Sequence, residues 1–194
     1  MAILSISEIL NLIITTFVVG YIFTGYIPFP RKTPSDDELI AKYSRNYFDW
    51  EEIKFTMLVA APGIILHELG HKFLALLFGL SAVFKIFWLG LGLAFILKLA
   101  HSPFLILAPG YVEISGNASL LQGMLVAFAG PFFNLVLWLG SWYLLKTRKN
   151  MPQKTVFALA LTKQINMILF IFNMLPIPPF DGFQVFSSLY KLIT

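Results

Sequence analysis

Long uninterrupted apolar stretches dominate the pattern along this chain. Each has few or no charges and reaches about 20 residues, the length that a helix needs to cross a hydrocarbon layer of roughly 30 Å. The stretches cover residues 9–29, 55–80, 120–145 and 155–175. Polar or proline-rich segments separate them and mark the membrane surface. The pattern predicts an all-α polytopic membrane protein with about four to five transmembrane helices.

Three other segments do not fit a full span. Residues 86–97 are apolar but only 12 in number, or about 18 Å as a helix, which favours a re-entrant or interfacial segment. Residues 104–114 have a β-like pattern with Pro109 and Gly110 at a turn or bulge, and they predict edge strands. Residues 31–54 are polar with mixed charge and predict an exposed loop.

The chain divides into two parts. Residues 1–54 are expected to form an N-terminal transmembrane helix and the polar loop, and residues 55–194 a core with the remaining spans. The loop is too short to be a domain of its own. The N-terminus lacks a basic segment and its apolar stretch exceeds the usual signal-peptide length, so we interpret it as a retained span.

Composition narrows the function classes. Hydrophobic residues make up 58% of the chain and charged residues only 12%, against roughly 25% charged in soluble domains. Cysteine is absent, so a metal would have to be held by histidine and carboxylate. The net charge of +4 comes from basic residues scattered at span ends. This distribution favours contact with anionic lipid headgroups of a bilayer and argues against a nucleic-acid partner.

The second apolar stretch contains an HExxH motif, formed by His67, Glu68 and His71. Ionisable groups inside a span are costly and are functional by default. On a helix the two histidines lie about 40° apart in azimuth and one turn apart in height, so both imidazoles can reach one metal. Glu68 can then accept a proton from a water at the metal without being a ligand. The alternative is a pair of histidines satisfied by hydrogen bonds within a helix bundle.

A catalytic zinc site needs a third protein ligand. The ionisable candidates after His71 near apolar sequence are His101, Glu113 and Asp181. Asp181 is the best of them because it follows a proline-broken segment at a span end, where irregular backbone must line a cavity or pack in protein. His101 is expected at the membrane interface near Lys98, and Glu113 is expected to face water.

Three motifs occur in a defined order: HExGH flanked by apolar residues at 64–71, GPxxN at 130–134, and NxxPxPxxDG at 173–182. In this order they resemble the motifs of the site-2 proteases, which are intramembrane zinc metalloproteases. The resemblance implies one zinc per chain bound by His67, His71 and Asp181, with Glu68 as the catalytic base. It also implies transmembrane protein substrates, a multi-pass location in the cell membrane, and a metalloprotease core in residues 55–194.

The resemblance also places polar groups near the site. Asn173 is expected to orient the Asp181 loop or to donate a hydrogen bond to the oxyanion, with a helix C-terminal cap as the alternative. Asn134 is expected to bind substrate or the oxyanion, with hydrogen bonding between spans as the alternative. The β-like segment, including Tyr111 and Val112, is expected to hold unwound substrate by strand addition.

Two rival functions remain open: a proteolytically inactive scaffold that binds membrane helices, and a metal transporter using the same ligands in transit. Membrane orientation is also open. The loops at 31–54 and 146–154 carry nine Lys or Arg together, which places them in the cytoplasm by the positive-inside rule, whereas the family resemblance implies the reverse. Substrate identity and oligomeric state are not determined by this sequence.

Overall fold

The computed structural model describes residues 3–29, 49–102 and 108–194. Within these ranges the chain is mostly helical and contains a small two-stranded sheet, which confirms the expected fold class. The elements in chain order are α1 (Ile6–Phe23), α2 (Trp50–Leu77), β1 (Ser81–Ile86), α3 (Trp88–Leu99), β2 (Gly110–Ser115), α4 (Leu120–Thr147), α5 (Gln153–Asn173) and α6 (Asp181–Ile193).

Four of the described helices, α1, α2, α4 and α5, are long and apolar enough to cross a membrane. They coincide with the four apolar stretches of the sequence. Large apolar side chains such as Leu58, Trp142 and Ile171 are exposed, as expected where a helix contacts lipid. The chain is therefore a membrane protein.

Local sequence explains where these helices begin and why they continue. Both α1 and α4 start with a capping box, formed by Ser5 with Glu8 and by Ser119 with Gln122. Prolines lie inside α2 and α4. Membrane helices tolerate such interior prolines because neighbouring groups satisfy the freed backbone carbonyls.

The short apolar segment forms a helix, as expected from its length. Helix α3 has 12 residues and reaches about 18 Å. It begins two residues later than expected because Ile86 is the last residue of β1. The re-entrant or interfacial position of this helix stays a prediction.

The described sheet consists of β1 and β2 in antiparallel register, from Ser81 opposite Ser115 to Ile86 opposite Gly110. The predicted strand at 104–114 is thus confirmed in its second half, and residues 103–107 lie outside the described part. Strand β1 was not predicted from the sequence. The predicted loop lies largely outside the described residues, and its end is wrong: residues 50–54 already belong to α2.

Helix α4 packs against α2, α5 and α6, while α1 packs against α2 and β1. The approach of α2 to α4 is close because Gly70 has no side chain. A Cβ on Gly70 would lie 2.8 Å from the carbonyl oxygen of Ala129, closer than packed atoms allow. This crossing brings the HExxH turn of α2 against the GPxxN turn of α4.

Candidate metal centre

Helix α2 places two histidines of the HExxH motif side by side. His67 and His71 are each only 8% exposed, and their Nε2 atoms lie 3.1 Å apart. The separation of four residues makes this possible, because it returns the second side chain to nearly the same face one turn later. The two nitrogens can therefore bind one metal ion.

Asp181 joins them from the other end of the sequence. Its Oδ2 atom lies 3.1 Å from His67 Nε2 and 3.5 Å from His71 Nε2. The carboxylate is in the first turn of α6, where a negative charge interacts favourably with the helix dipole. The preceding turn is tight: a Cβ on Gly182 would collide with the backbone of Met174 and Leu175.

Hydrogen bonds on the far side of each ring orient the histidines. His67 Nδ1 lies 2.7 Å from Asn134 Oδ1, and His71 Nδ1 lies 2.7 Å from the Val126 carbonyl oxygen. Both oxygens are acceptors, so each Nδ1 carries a proton, and in the neutral ring Nε2 is left with its lone pair. Such partners fix the tautomer and the orientation of metal-binding histidines.

The orientation of the Asn134 side-chain amide follows from its own contacts. This side chain is fully buried, and its Nδ2 donates to the Gly63 carbonyl oxygen at 2.8 Å and to Asn166 Oδ1 at 3.0 Å. Two acceptors on that side require the amide nitrogen there. The Oδ1 atom must therefore face His67.

The donor set fits zinc. Two Nε2 atoms and one carboxylate oxygen converge, and with both rings neutral these three electron-pair donors are stabilised by a cation among them. Their separations of 3.1, 3.1 and 3.5 Å match the edge of about 3.3 Å expected for tetrahedral zinc with ligands at about 2.0–2.1 Å. Gly130 leaves the necessary room: a Cβ there would collide with His71 Nε2 and lie 2.8 Å from His67 Nε2.

A cavity of about 1200 Å³ opens on this cluster. Glu68 lines it together with the three donors, and Asn173 and Gln184 contribute further polar groups. Most of its remaining wall is apolar, supplied largely by α5 and β2. The arrangement combines a cation site, a carboxylate beside it and a large apolar space.

The model of peptidase family M50 matches residues 55–148 and 146–194. These ranges contain the HExxH motif, Asn134 and Asp181. This chain belongs to peptidase family M50. Its members include the site-2 proteases, so the resemblance drawn from the three motifs is confirmed. Membership of this family supports a site-2 protease-like function for this M50 chain.

Three relatives carry the name "Putative zinc metalloprotease". One from Methanocaldococcus jannaschii is 36% identical over 132 residues, which is 67% of the M50 chain and 68% of the relative. One from Bacillus subtilis is 29% identical over 163 residues, or 74% and 72% of the two chains. One from Synechocystis is 31% identical over 139 residues, or 72% of this chain and 32% of the relative. No solved structure matches the chain significantly.

The structure brings most of the expected site residues of this M50 protein to one place. His67, Glu68, His71 and Asp181 line the cavity, and so do Asn173, Tyr111 and Val112. His101 and Glu113 do not join the donor cluster. His101 is exposed after the end of α3, and Glu113 pairs with Lys85 at 2.6 Å on the half-exposed face of the sheet.

The contacts of Asn134 correct one of the two roles expected for it. Both of its N–H groups and its oxygen are used inside the protein, so no donor is left for substrate, and the interhelical alternative agrees with the structure. Sequence reasoning also missed Asn166, which is fully buried in α5. The available signal was this amide, close to Lys163 and Gln164, inside a stretch that is otherwise mainly apolar.

Hydrogen bonds identify which residues of the sheet face which edge. The Phe87 N–H donates to the Pro109 carbonyl at 3.1 Å, across the gap between the strands. The Phe84 N–H instead donates to Glu8 Oε1 at 2.8 Å, away from β2. Because main-chain groups alternate in an antiparallel ladder, odd-numbered residues of β1 bond to β2 and even-numbered residues face the other side.

The same alternation divides β2. Tyr111 lies opposite Lys85 and directs its N–H and C=O towards β1. Gly110, Val112 and Ile114 direct theirs to the opposite edge, and all three line the cavity. Among the described residues no strand pairs with this edge. A strand added at this edge would therefore bond to Val112 and Ile114, whereas the Tyr111 N–H is directed to Lys85 within the sheet.

Proposed function

We propose that this M50 protein is an intramembrane zinc metalloendopeptidase that hydrolyses peptide bonds of transmembrane substrates. The observation that carries the proposal is the convergence of two imidazole nitrogens and one carboxylate oxygen in the cavity that Glu68 also lines. His67, His71 and Asp181 would hold one zinc ion per chain. When bound, zinc would lower the pKa of a water towards about 7 and polarise a carbonyl oxygen.

Glu68 has the role of general base and acid in this proposal. Its carboxylate takes a proton from the water that attacks the scissile carbonyl carbon. As the C–N bond breaks, Glu68 delivers that proton to the leaving nitrogen. Two features support this role. Glu68 lines the cavity without belonging to the donor cluster, and it is adjacent to His67 in sequence.

The open edge of β2 and Asn173 are proposed to bind substrate. A transmembrane helix hides its amides in its own hydrogen bonds, so it must unwind before a carbonyl can reach the metal. The free main-chain groups of Val112 and Ile114 can pair with the unwound segment by strand addition, and the Tyr111 side chain lies next to them. Asn173, at the end of α5, would donate to the developing oxyanion or orient the Asp181 turn.

We further propose that residues 55–194 form the protease core, residues 1–54 add a transmembrane helix and loop, and the protein lies in the cell membrane. The start of the family match at residue 55 supports this division.

Purified protein tests the function by zinc analysis combined with cleavage of a model transmembrane peptide. We expect bound zinc and cleavage in the wild type, and loss of both in Asp181→Ala. A scaffold would bind the peptide without cutting it, and a transporter would move zinc across a vesicle membrane. Either result, or zinc content unaffected by Asp181→Ala, would reject the proposal.

Glu68→Gln tests the role of Glu68 as the base without changing the three proposed zinc ligands. The amide is nearly isosteric but cannot accept the proton, so we expect cleavage to fall by about 10²–10⁴-fold while zinc content stays at the wild-type level. Metal analysis and initial rates on the same preparation measure both. Wild-type rates in this variant would assign the base to another group.

A further inference from the structure

The HExxH helix carries a second buried charge that the proposed chemistry does not use. Lys72 follows His71 directly and is only 2% exposed. Its Nζ lies 2.6 Å from Oε1 of Glu8, a residue of α1 that is 4% exposed. Removing two charges from water is costly, so such a pair persists only where good geometry and further hydrogen bonds compensate.

Those further hydrogen bonds go to β1. Lys72 Nζ donates to the Ala82 carbonyl oxygen at 2.5 Å, and Glu8 Oε1 accepts from the Phe84 N–H at 2.8 Å. Ala82 and Phe84 are even-numbered residues of β1, whose main-chain groups face away from β2. The ion pair therefore closes the back edge of the sheet, where unpaired backbone groups would be costly in a membrane protein.

The two edges of the sheet thus differ in what they face. The back edge is closed by Glu8 and Lys72, and the front edge, at Val112 and Ile114, faces the cavity. Lys72 and the metal-binding His71 are adjacent on the same helix. A displacement of the sheet relative to the metal-binding turn would have to break the contacts of Lys72 with Ala82.

We infer that the Glu8–Lys72 ion pair is a positioning element that holds the β1–β2 sheet at a set place relative to the metal centre, and so determines which peptide bond of a bound strand reaches that centre. This inference rests on the proposed function. It adds α1, which lies outside the family-matched residues, to the parts of the protein that position substrate.

The test replaces both charges at once, because removing one would leave the other buried and unpaired. The double variant Glu8→Gln/Lys72→Met keeps an acceptor for Phe84 but removes the donor to Ala82. We expect wild-type zinc content, faster hydrogen exchange at residues 81–86 and 110–115, and unchanged exchange in α4 and α5. With a model transmembrane peptide we expect a KM raised about tenfold with a smaller change in kcat, and cleavage at additional positions by mass spectrometry.

Lys98→Met is the matched control. Lys98, on α3, also holds the end of α1, since its Nζ donates to the Thr24 carbonyl oxygen at 2.6 Å and to Thr24 Oγ1 at 2.7 Å. Its hydrogen bonds to the described residues do not include the sheet. We expect wild-type exchange in the sheet, wild-type KM and an unchanged cleavage position in this variant.

The outcomes separate the two proposals. If the wild type does not cleave, the proposed function fails, and the exchange data still decide whether the pair holds the sheet. If the double variant loses zinc, the milder Glu8→Gln/Lys72→Gln, which keeps a donor at position 72, decides instead. Wild-type exchange, KM and cleavage position in the variant that folds would overturn the positioning role. So would loss of zinc in both variants, because it would show that the pair supports the whole fold.

Discussion

At the scale of single residues, the metal centre depends on which nitrogen of each imidazole is free. The Asn134 side chain and the Val126 carbonyl lie 2.7 Å from the two Nδ1 atoms, and both Nε2 atoms face Asp181. Asn134, which is not one of the three proposed ligands, thus sets the orientation in which His67 would bind a metal.

Asn134→Ala tests this arrangement. We expect zinc affinity to fall by about 10–100-fold, because His67 loses the partner that fixes its tautomer and orientation, and we expect excess zinc to restore much of the cleavage. Competition with a chelating dye measures the affinity. Asn166→Ala is the matched control, since it removes a contact of Asn134 but leaves the bond to His67, and it should weaken zinc binding less. Equal affinities in wild type and Asn134→Ala would contradict this role.

At the scale of elements, the sheet has one closed and one open edge, and its register determines what a proline does at each position. The Val112 N–H faces the cavity, whereas the Tyr111 N–H faces Lys85. A proline at position 112 would therefore remove a donor at the open edge, whereas a proline at position 111 would remove a bond between β1 and β2.

Val112→Pro should remove a donor that substrate uses while leaving the bonds between β1 and β2 in place. We expect a higher KM or loss of cleavage with zinc still bound. Tyr111→Pro removes a bond of the sheet itself, so we expect faster hydrogen exchange in β1 as well as weaker cleavage.

Alanine at the same two positions is the control, and it should change cleavage much less because it keeps the N–H. If β2 only packs against the protein's own core, the proline and alanine variants at position 112 would lose zinc and folding together, and the substrate-holding role would be rejected.

At the scale of the whole molecule, the metal centre joins three helices that are distant in sequence. Its proposed ligands lie on α2 and α6, and α4 supplies the contacts behind the histidines. A cation among these donors removes their mutual repulsion, so metal binding and folding should be coupled.

Chelation should therefore destabilise the protein. A ligand present at about 1,000 times its Kd stabilises by about 4 kcal/mol, which corresponds to a shift in Tm of roughly 8–16 °C for a chain of this size. Thermal unfolding in detergent with and without a strong chelator measures the shift. Asp181→Ala should show little response to the chelator, and an identical Tm for the wild type in both conditions would argue against a stabilising metal.

The sequence by itself determined the features that depend on local spacing. Four apolar stretches of spanning length predicted the long helices, and the four-residue separation of His67 and His71 predicted two rings on one face. These inferences succeed because helix periodicity and the length of a membrane span are both properties of a continuous stretch of sequence. Asp181 was selected as the third donor by its proline-broken context and the family resemblance, and the structure brings it to the two histidines.

Only the tertiary structure decided what depends on contacts between distant segments. The bond between His67 and Asn134, the ion pair of Lys72 with Glu8, and the edge that Val112 presents each join residues on different elements. A six-residue strand carries no local signal for its register, and a buried polar residue does not identify its partner. Those choices follow from the packing of helices and strands, which places each donor beside its acceptor.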